Sequence, residues 1–214
     1  MFVQKLKNFM EKQVNKNHYF NQKYNHKARW LSYWYQINLV LSTEPTDVLE
    51  IGMGCGIVKD YLLKCGKNIN TLDIDADLNP DIVGSVINMP IADNKFDCVL
   101  AAEVLEHLPF EKFSSCLKEI MRVSRKYAII SLPDSRRTLI NFYLKTPLLP
   151  PFKLFLKIPS FKKHIFDGQH YWEPGKKRYP FKKINDTITS SDWKIIKSFT
   201  PRDVPTKHFY LLKK

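Results

Sequence analysis

Apolar positions along the chain fall into two alternating patterns from Asp47 onward. Short continuous runs, "DVLEIG" (47–52), "NINTLDID" (68–75), "KFDCVLAAE" (95–103) and "YAIISLPD" (127–134), read as strands buried on both faces. Between them, "IVKDYLLKCG" (57–66) repeats its apolar residues Ile57, Tyr61 and Leu62 at helical spacing and stops at Gly66. "EKFSSCLKEIMRVS" (111–124) carries Phe113, Leu117, Ile120, Met121 and Ser124 along one helical face. "DIVGSVINM" (81–89) is a weaker third strand. Ahead of this alternation the pattern is mostly helical, ending in the aromatic run "RWLSYWYQINLVL" (29–41) and a turn at "STEPTD" (42–47).

Strand–helix alternation with continuous apolar strands predicts an α/β fold: a mostly parallel sheet with helices on both faces and ligand-binding loops at the carboxyl ends of the strands. The pattern breaks at residues 147–181, rich in Pro, aromatics and Lys and without a clean period; this stretch reads as a lid or substrate insertion. "FKKINDTITSSD" (181–192) reads as a short helix. "WKIIKSFT" (193–200) and "HFYLLKK" (208–214) read as two strands suited to an antiparallel edge. One domain over residues 1–214 is expected, with 1–43 as a helical N-terminal extension.

Charge sharpens this picture. Residues 1–43 hold seven basic residues against one acidic, residues 44–152 hold 12 against 15, and residues 153–183 hold nine against two. A slightly acidic body between basic segments suggests an anionic partner such as RNA or a membrane surface. No run approaches the roughly 18 apolar residues of a membrane span. The N-terminal residues interrupt their apolar positions with Lys, Asn and Glu, unlike a secretory leader. Cys55, Cys65, Cys98 and Cys116 show no CxxC pairing, which fits reduced thiols in the cytoplasm.

"VLEIGMGCG" runs from a strand into a helix, and Gly52, Gly54 and Gly56 permit tight turns and close approach of a ligand. The spacing is G-x-G-x-G, with Ile57 where a dinucleotide fingerprint needs its last glycine. Glu50 suits a cation better than a pyrophosphate, so the loop favours a positively charged ligand without phosphates. About 20 residues later the second strand ends in "LDIDAD", where Asp73, or secondarily Asp75, suits a pair of ribose hydroxyls. "EVLEHL" (103–108), read as a helical turn, puts Glu103, Glu106 and His107 on one face.

Together the E-x-G-x-G-x-G loop, the acidic end of the second strand, "NMPIADNKFDCVLAAEVLEHLP" and the terminal strand pair resemble the class I S-adenosylmethionine-dependent methyltransferases. The resemblance implies a Rossmann-like sheet of seven strands with the last antiparallel. It implies S-adenosylmethionine over the glycine loop, with S-adenosylhomocysteine as product. Glu50, Gly52, Met53, Gly54 and Gly56 would face its methionine part, Asp73 the ribose, and Ser85, Val86 and Ile87 the adenine, with Ile74 also among the cofactor-binding residues. Ser85 stands where many relatives carry an Asp. Glu103 would lie at the mouth of the pocket. The remaining alternative is another Rossmann-like nucleotide binder.

E-x-x-E-H also resembles two metal-using branches of that superfamily, which implies Mg²⁺ or Mn²⁺ on Glu103, Glu106 and His107, with His170 of "DGQHYWEPG", or secondarily His164, as a fourth ligand. In metal-free relatives the same residues shape the pocket or supply a base, which makes Glu103, His107 and His170 catalytic candidates either way. The leading expectation is O-methylation of a small or carrier-linked acceptor, a sugar or a phenol. Ribose methylation of RNA and a catalytically silent donor-binding partner subunit are the alternatives. Location is expected to be cytoplasmic, with peripheral contact at the inner membrane surface.

Overall fold

A computed structural model describes residues 14–214; the part of the expected N-terminal extension before Val14 lies outside them. A short 3₁₀ turn at Lys16–Phe20 leads to helix α1 (Lys27–Leu41). Then follow β1 (Asp47–Ile51), α2 (Ile57–Lys64), β2 (Asn68–Asp73), β3 (Ile82–Val83), β4 (Phe96–Ala102), α3 (Phe113–Val123) and β5 (Ser124–Pro133). After two strands outside the main sheet, β6 (Arg137–Leu144) and β7 (Phe152–Ile158), the chain closes with α4 (Phe181–Thr189), β8 (Lys194–Phe199) and β9 (Lys207–Lys213).

The seven-stranded sheet has the order β3-β2-β1-β4-β5-β9-β8. β1, β2, β3, β4 and β5 run parallel, and β9 enters antiparallel between β5 and β8. This is the expected mixed α/β sheet with its last strand reversed. The order turns back between β1 and β4, which opens a crevice at their carboxyl ends. β1, β4 and β5 are almost entirely buried because apolar clusters cover both faces. α3, α4, Trp172 and Trp193 pack one face; α1 and α2 pack the other.

Several local details differ from the expected ones. α2 buries Val58 and Leu62 and leaves Tyr61 exposed. α3 buries Phe113, Cys116, Leu117, Ile120 and Val123, whereas Met121 of the expected face is only half-buried and Ser124 already begins β5. The irregular insertion begins earlier than 147: β6 and β7 form an antiparallel hairpin, Leu144 opposite Phe152. β6 is solvent-exposed along most of its length, so it lacks the buried run by which the other strands are recognised.

Candidate active site

Each acidic or glycine position of the site is fixed by where a strand ends. Beyond Ile51 the chain turns through Gly52, Gly54 and Gly56, all at positive φ (77°, 54° and 78°). At Gly52 an added Cβ would lie 2.4 Å from Cγ2 of Val104, so only glycine fits. Asp73 ends β2 and is held by the loop it faces: Oδ2 accepts the Met53 amide at 3.1 Å and Oδ1 the Asp75 amide at 3.0 Å. Burial raises its pKa above the ordinary carboxylate value.

These strand ends line a cavity of about 350 Å³. Gly52 and Gly54 form its floor with Asp73, Ile74 and Asp75, and Ser85 and Val86 lie along one side. Ile87 packs against the core instead. Met53 and Gly56 shape the loop without lining the cavity. Glu50 lies beneath it, 4% exposed, with Oε2 lacking a hydrogen-bond partner among the described residues. Burial pushes its pKa up to about 8, against the pull of Lys59.

His18, Tyr19, Tyr24 and Arg29 of the N-terminal segment wall the same cavity, a contribution the sequence reading missed. The Arg29 guanidinium stacks 4.3 Å above the Tyr24 ring, and its buried Nε has no hydrogen-bond partner among the described residues. A basic residue beside aromatics two residues into a helix was the available signal.

"EVLEHL" does not form the expected helical turn. Glu103 takes φ 57°, and only Leu105–His107 is helical, as one 3₁₀ turn. Glu103 is thereby rotated away from Glu106 and His107. It lines the cavity paired with Lys207 and accepts from Ser131 Oγ at 3.1 Å. The four-residue metal set therefore contracts: Glu106, His107 and His170 have ligand atoms within 4.8 Å of one another, and Glu103 is outside the group.

This trio is assembled by the 167–173 loop. Asp167 Oδ1 accepts the amides of Gln169 and His170 at 3.0 and 2.8 Å. The Tyr171 amide donates to the Glu106 carbonyl at 2.9 Å, and Trp172 Nε1 to the Leu108 carbonyl at 3.0 Å. Glu106 is wholly buried, and neither carboxylate oxygen has a hydrogen-bond partner among the described residues; His170 Nε2 is 3.9 Å from Oε1. Burial, then the nearby Glu103 charge, raise the Glu106 pKa.

The two imidazoles diverge. Burial and the neighbouring His170 pull the His107 pKa down to about 4, so its ring is neutral. His107 Nδ1 sits 3.2 Å from the Gln169 carbonyl and donates to it, which leaves the lone pair on Nε2. For His170, burial opposes the charged form, but the Glu173 carboxylate at 3.0 Å and the Glu106 charge outweigh it, and the pKa rises. His164 stands apart, its Nε2 on the His170 carbonyl at 2.8 Å.

Among known proteins, residues 49–132 match the family model described as "Methyltransferase domain". An uncharacterised protein, MJ0638, from Methanocaldococcus jannaschii is 32% identical over 145 residues, 62% of this chain and 60% of that protein. The chain thus spans less than two thirds of that relative's length. Burkholderia thailandensis 1,6-didemethyltoxoflavin-N1-methyltransferase, solved with 1,6-didemethyltoxoflavin and S-adenosylhomocysteine, superposes with a TM-score of 0.60 at 14% identity over 93% of this chain and 86% of that one. The PH0226 protein from Pyrococcus horikoshii gives 0.61 at 12% identity, over 94% and 99%. Residues 49–132 are thus similar to a methyltransferase domain, and the chain as a whole shares the fold of these solved structures, with the seven-stranded sheet and crevice described above.

Proposed function

We propose that the protein transfers the methyl group of S-adenosylmethionine to a hydroxyl oxygen of a small or carrier-linked acceptor, a sugar or a phenol. The observation that carries this reading is one cavity bordered at one end by the glycine loop and Asp73 and at the other by His107 and His170. The donor's charges have matching groups: the buried Glu50 carboxylate for its cationic end and Arg29 for its carboxylate. Asp73 accepts from the ribose hydroxyls.

Transfer forms the oxygen–carbon bond as the sulfonium carbon–sulfur bond breaks, and S-adenosylhomocysteine leaves. The hydroxyl proton must go to a base. His107, a neutral ring at the cavity wall with its lone pair on Nε2, accepts it, and the Glu106 carboxyl within 4.8 Å stabilises the imidazolium that forms. The donor set of Glu106, His107 and His170 also fits a divalent cation such as Mg²⁺ or Mn²⁺, which when bound supplies a lowered hydroxyl pKa.

The test is labelled S-adenosylmethionine incubated with sugar, phenol and RNA acceptors, with and without chelator. Label should enter a sugar or phenol, and Asp73→Ala should abolish both transfer and the donor-induced rise in melting temperature. Loss with chelator, restored by Mn²⁺ or Mg²⁺, assigns the trio to a cation; indifference to chelator with loss in Glu106→Gln assigns it to proton transfer. Label in RNA alone, or no donor binding at millimolar concentration, overturns the reading.

A further inference from the structure

The β6–β7 hairpin lies outside the main sheet and leaves it from the carboxyl end of β5, the edge that carries the cavity. Residues directly opposite in an antiparallel pair share a face, and the register pairs Ile140 with Leu156, Phe142 with Leu154 and Leu144 with Phe152. One face of the hairpin is therefore apolar at all six positions, and five of them are exposed. The other face carries Asn141 and Tyr143, which touch Arg202 of the body: Asn141 Nδ2 donates to the Arg202 carbonyl at 2.8 Å, and the Arg202 guanidinium lies 5.3 Å from the Tyr143 ring. The apolar face continues into the tip, where Leu148 is 94% and Leu149 69% exposed. An apolar surface of this extent marks an interaction site.

Charge chooses the partner. From Ser135 through Phe166 the chain has no acidic residue and seven basic ones. Lys145, Lys153, Lys162 and Lys163 are exposed on or beside the hairpin. We propose that this hairpin docks the protein on an anionic lipid bilayer, Leu148 and Leu149 entering the acyl region while the lysines meet the headgroups. Aliphatic insertion combined with basic flanks is the two-part signature of peripheral membrane binding. RNA is disfavoured because the most exposed positions of the patch, Leu148 and Leu149 at the tip, offer bases no stacking surface. A second copy is disfavoured because the same cluster of positive charge would face itself. The protein needs no spanning segment for this, and no helix among the described residues is long and apolar enough to cross a membrane.

The experiment is sedimentation of the full chain with sucrose-loaded vesicles of phosphatidylcholine, with or without about 30% phosphatidylglycerol. The chain should sediment with the anionic vesicles, less so as salt is raised. Leu148→Glu with Leu149→Glu should lower the bound fraction about tenfold, since two buried leucines are lost. Lys162→Glu with Lys163→Glu should erase the preference for the anionic vesicles. Leu149→Trp, at an exposed site that leaves folding intact, should show a blue-shifted emission with anionic vesicles only. No sedimentation at low salt, no emission shift, or a dimer in solution that the leucine variant dissolves overturns the proposal. All readouts omit the methyl donor, so their failure is distinguishable from failure of the methyl-transfer reading.

Discussion

Glu50 shows what a single side chain costs when a site is prepared for an absent charge. Its pKa of about 8 means that the folded chain holds a proton that the unfolded chain, with a pKa near 4.5, has released. A raised folded-state pKa gives stability that is complete below the lower value and lost as pH rises through the higher one. Glu50→Gln removes that loss, so the ligand-free variant should gain on the parent between pH 4.5 and 8, by at most about 1.4 kcal/mol per unit. Donor affinity should move the other way: it rises with pH in the parent as the carboxylate ionises and stays flat and weaker in the variant. Urea unfolding and donor titration across that range check both signs, and a variant no more stable than the parent at pH 8 would refute the argument. Glu50, the glycines and Asp73 were legible in the sequence because their roles depend on local backbone at strand ends. Arg29 and Tyr24 were not, since a wall brought from elsewhere in the chain has no local pattern.

At the level of elements, the loop after β1 and the turn after β4 are designed around each other. Gly52 sits at φ 77° with the Val104 methyl where a Cβ would go. Gly52→Ala should destabilise by about 2–4 kcal/mol, combining left-handed strain with overpacking. Adding Val104→Ala should recover the clash but not the strain, so the double variant should be more stable than Gly52→Ala alone yet remain below Val104→Ala. Denaturant midpoints of the four proteins give the coupling; simple additivity would show that the two elements do not meet there. The strands of the parallel sheet were readable because burial on both faces leaves continuous apolar runs. The turn at "EVLEHL" was not, because its helical spacing was honoured only from Leu105 and the positive φ of Glu103 is set by contacts with Ser131 and Lys207. The hairpin did have a signal: "FKLFLKI" places Phe152, Leu154, Leu156 and Ile158 at every second position. The surrounding prolines and lysines obscured it, and without a core to face, alternation alone did not reveal which side it served.

Across the whole molecule, Asp134 is the point where sheet, hairpin and terminal strands are fastened together. Its side chain is 0% exposed and Lys157 of β7, 4% exposed, reaches it at 2.9 Å. Arg136 Nη2 at 2.7 Å and Thr200 Oγ1 at 2.6 Å complete the cage, and Thr200 also contacts His208 Nδ1 at 2.8 Å. The Arg136 guanidinium stacks over Phe181, 4.1 Å from its ring centroid, which brings in α4. Burial alone would raise the Asp134 pKa, but the Arg136, Thr200 and Lys157 hydrogen bonds hold it below the usual carboxylate value. Its contribution is therefore full above pH 3.8 and lost as pH falls through the depressed folded-state value. Asp134→Ala leaves the Lys157 ammonium buried without its counter-charge and should cost about 3–5 kcal/mol, whereas Asp134→Ala with Lys157→Met removes both charges and should recover a substantial part. Hydrogen exchange distinguishes this fastening from a general loss of packing. The single variant should lose protection first in β6, β7 and residues 200–207, while β1 and β4 keep theirs. Because β7 carries the apolar face, a hairpin released in this way should also weaken vesicle binding even with Leu148 and Leu149 intact, and uniform exchange across the sheet would show that the hairpin is not fixed through Asp134.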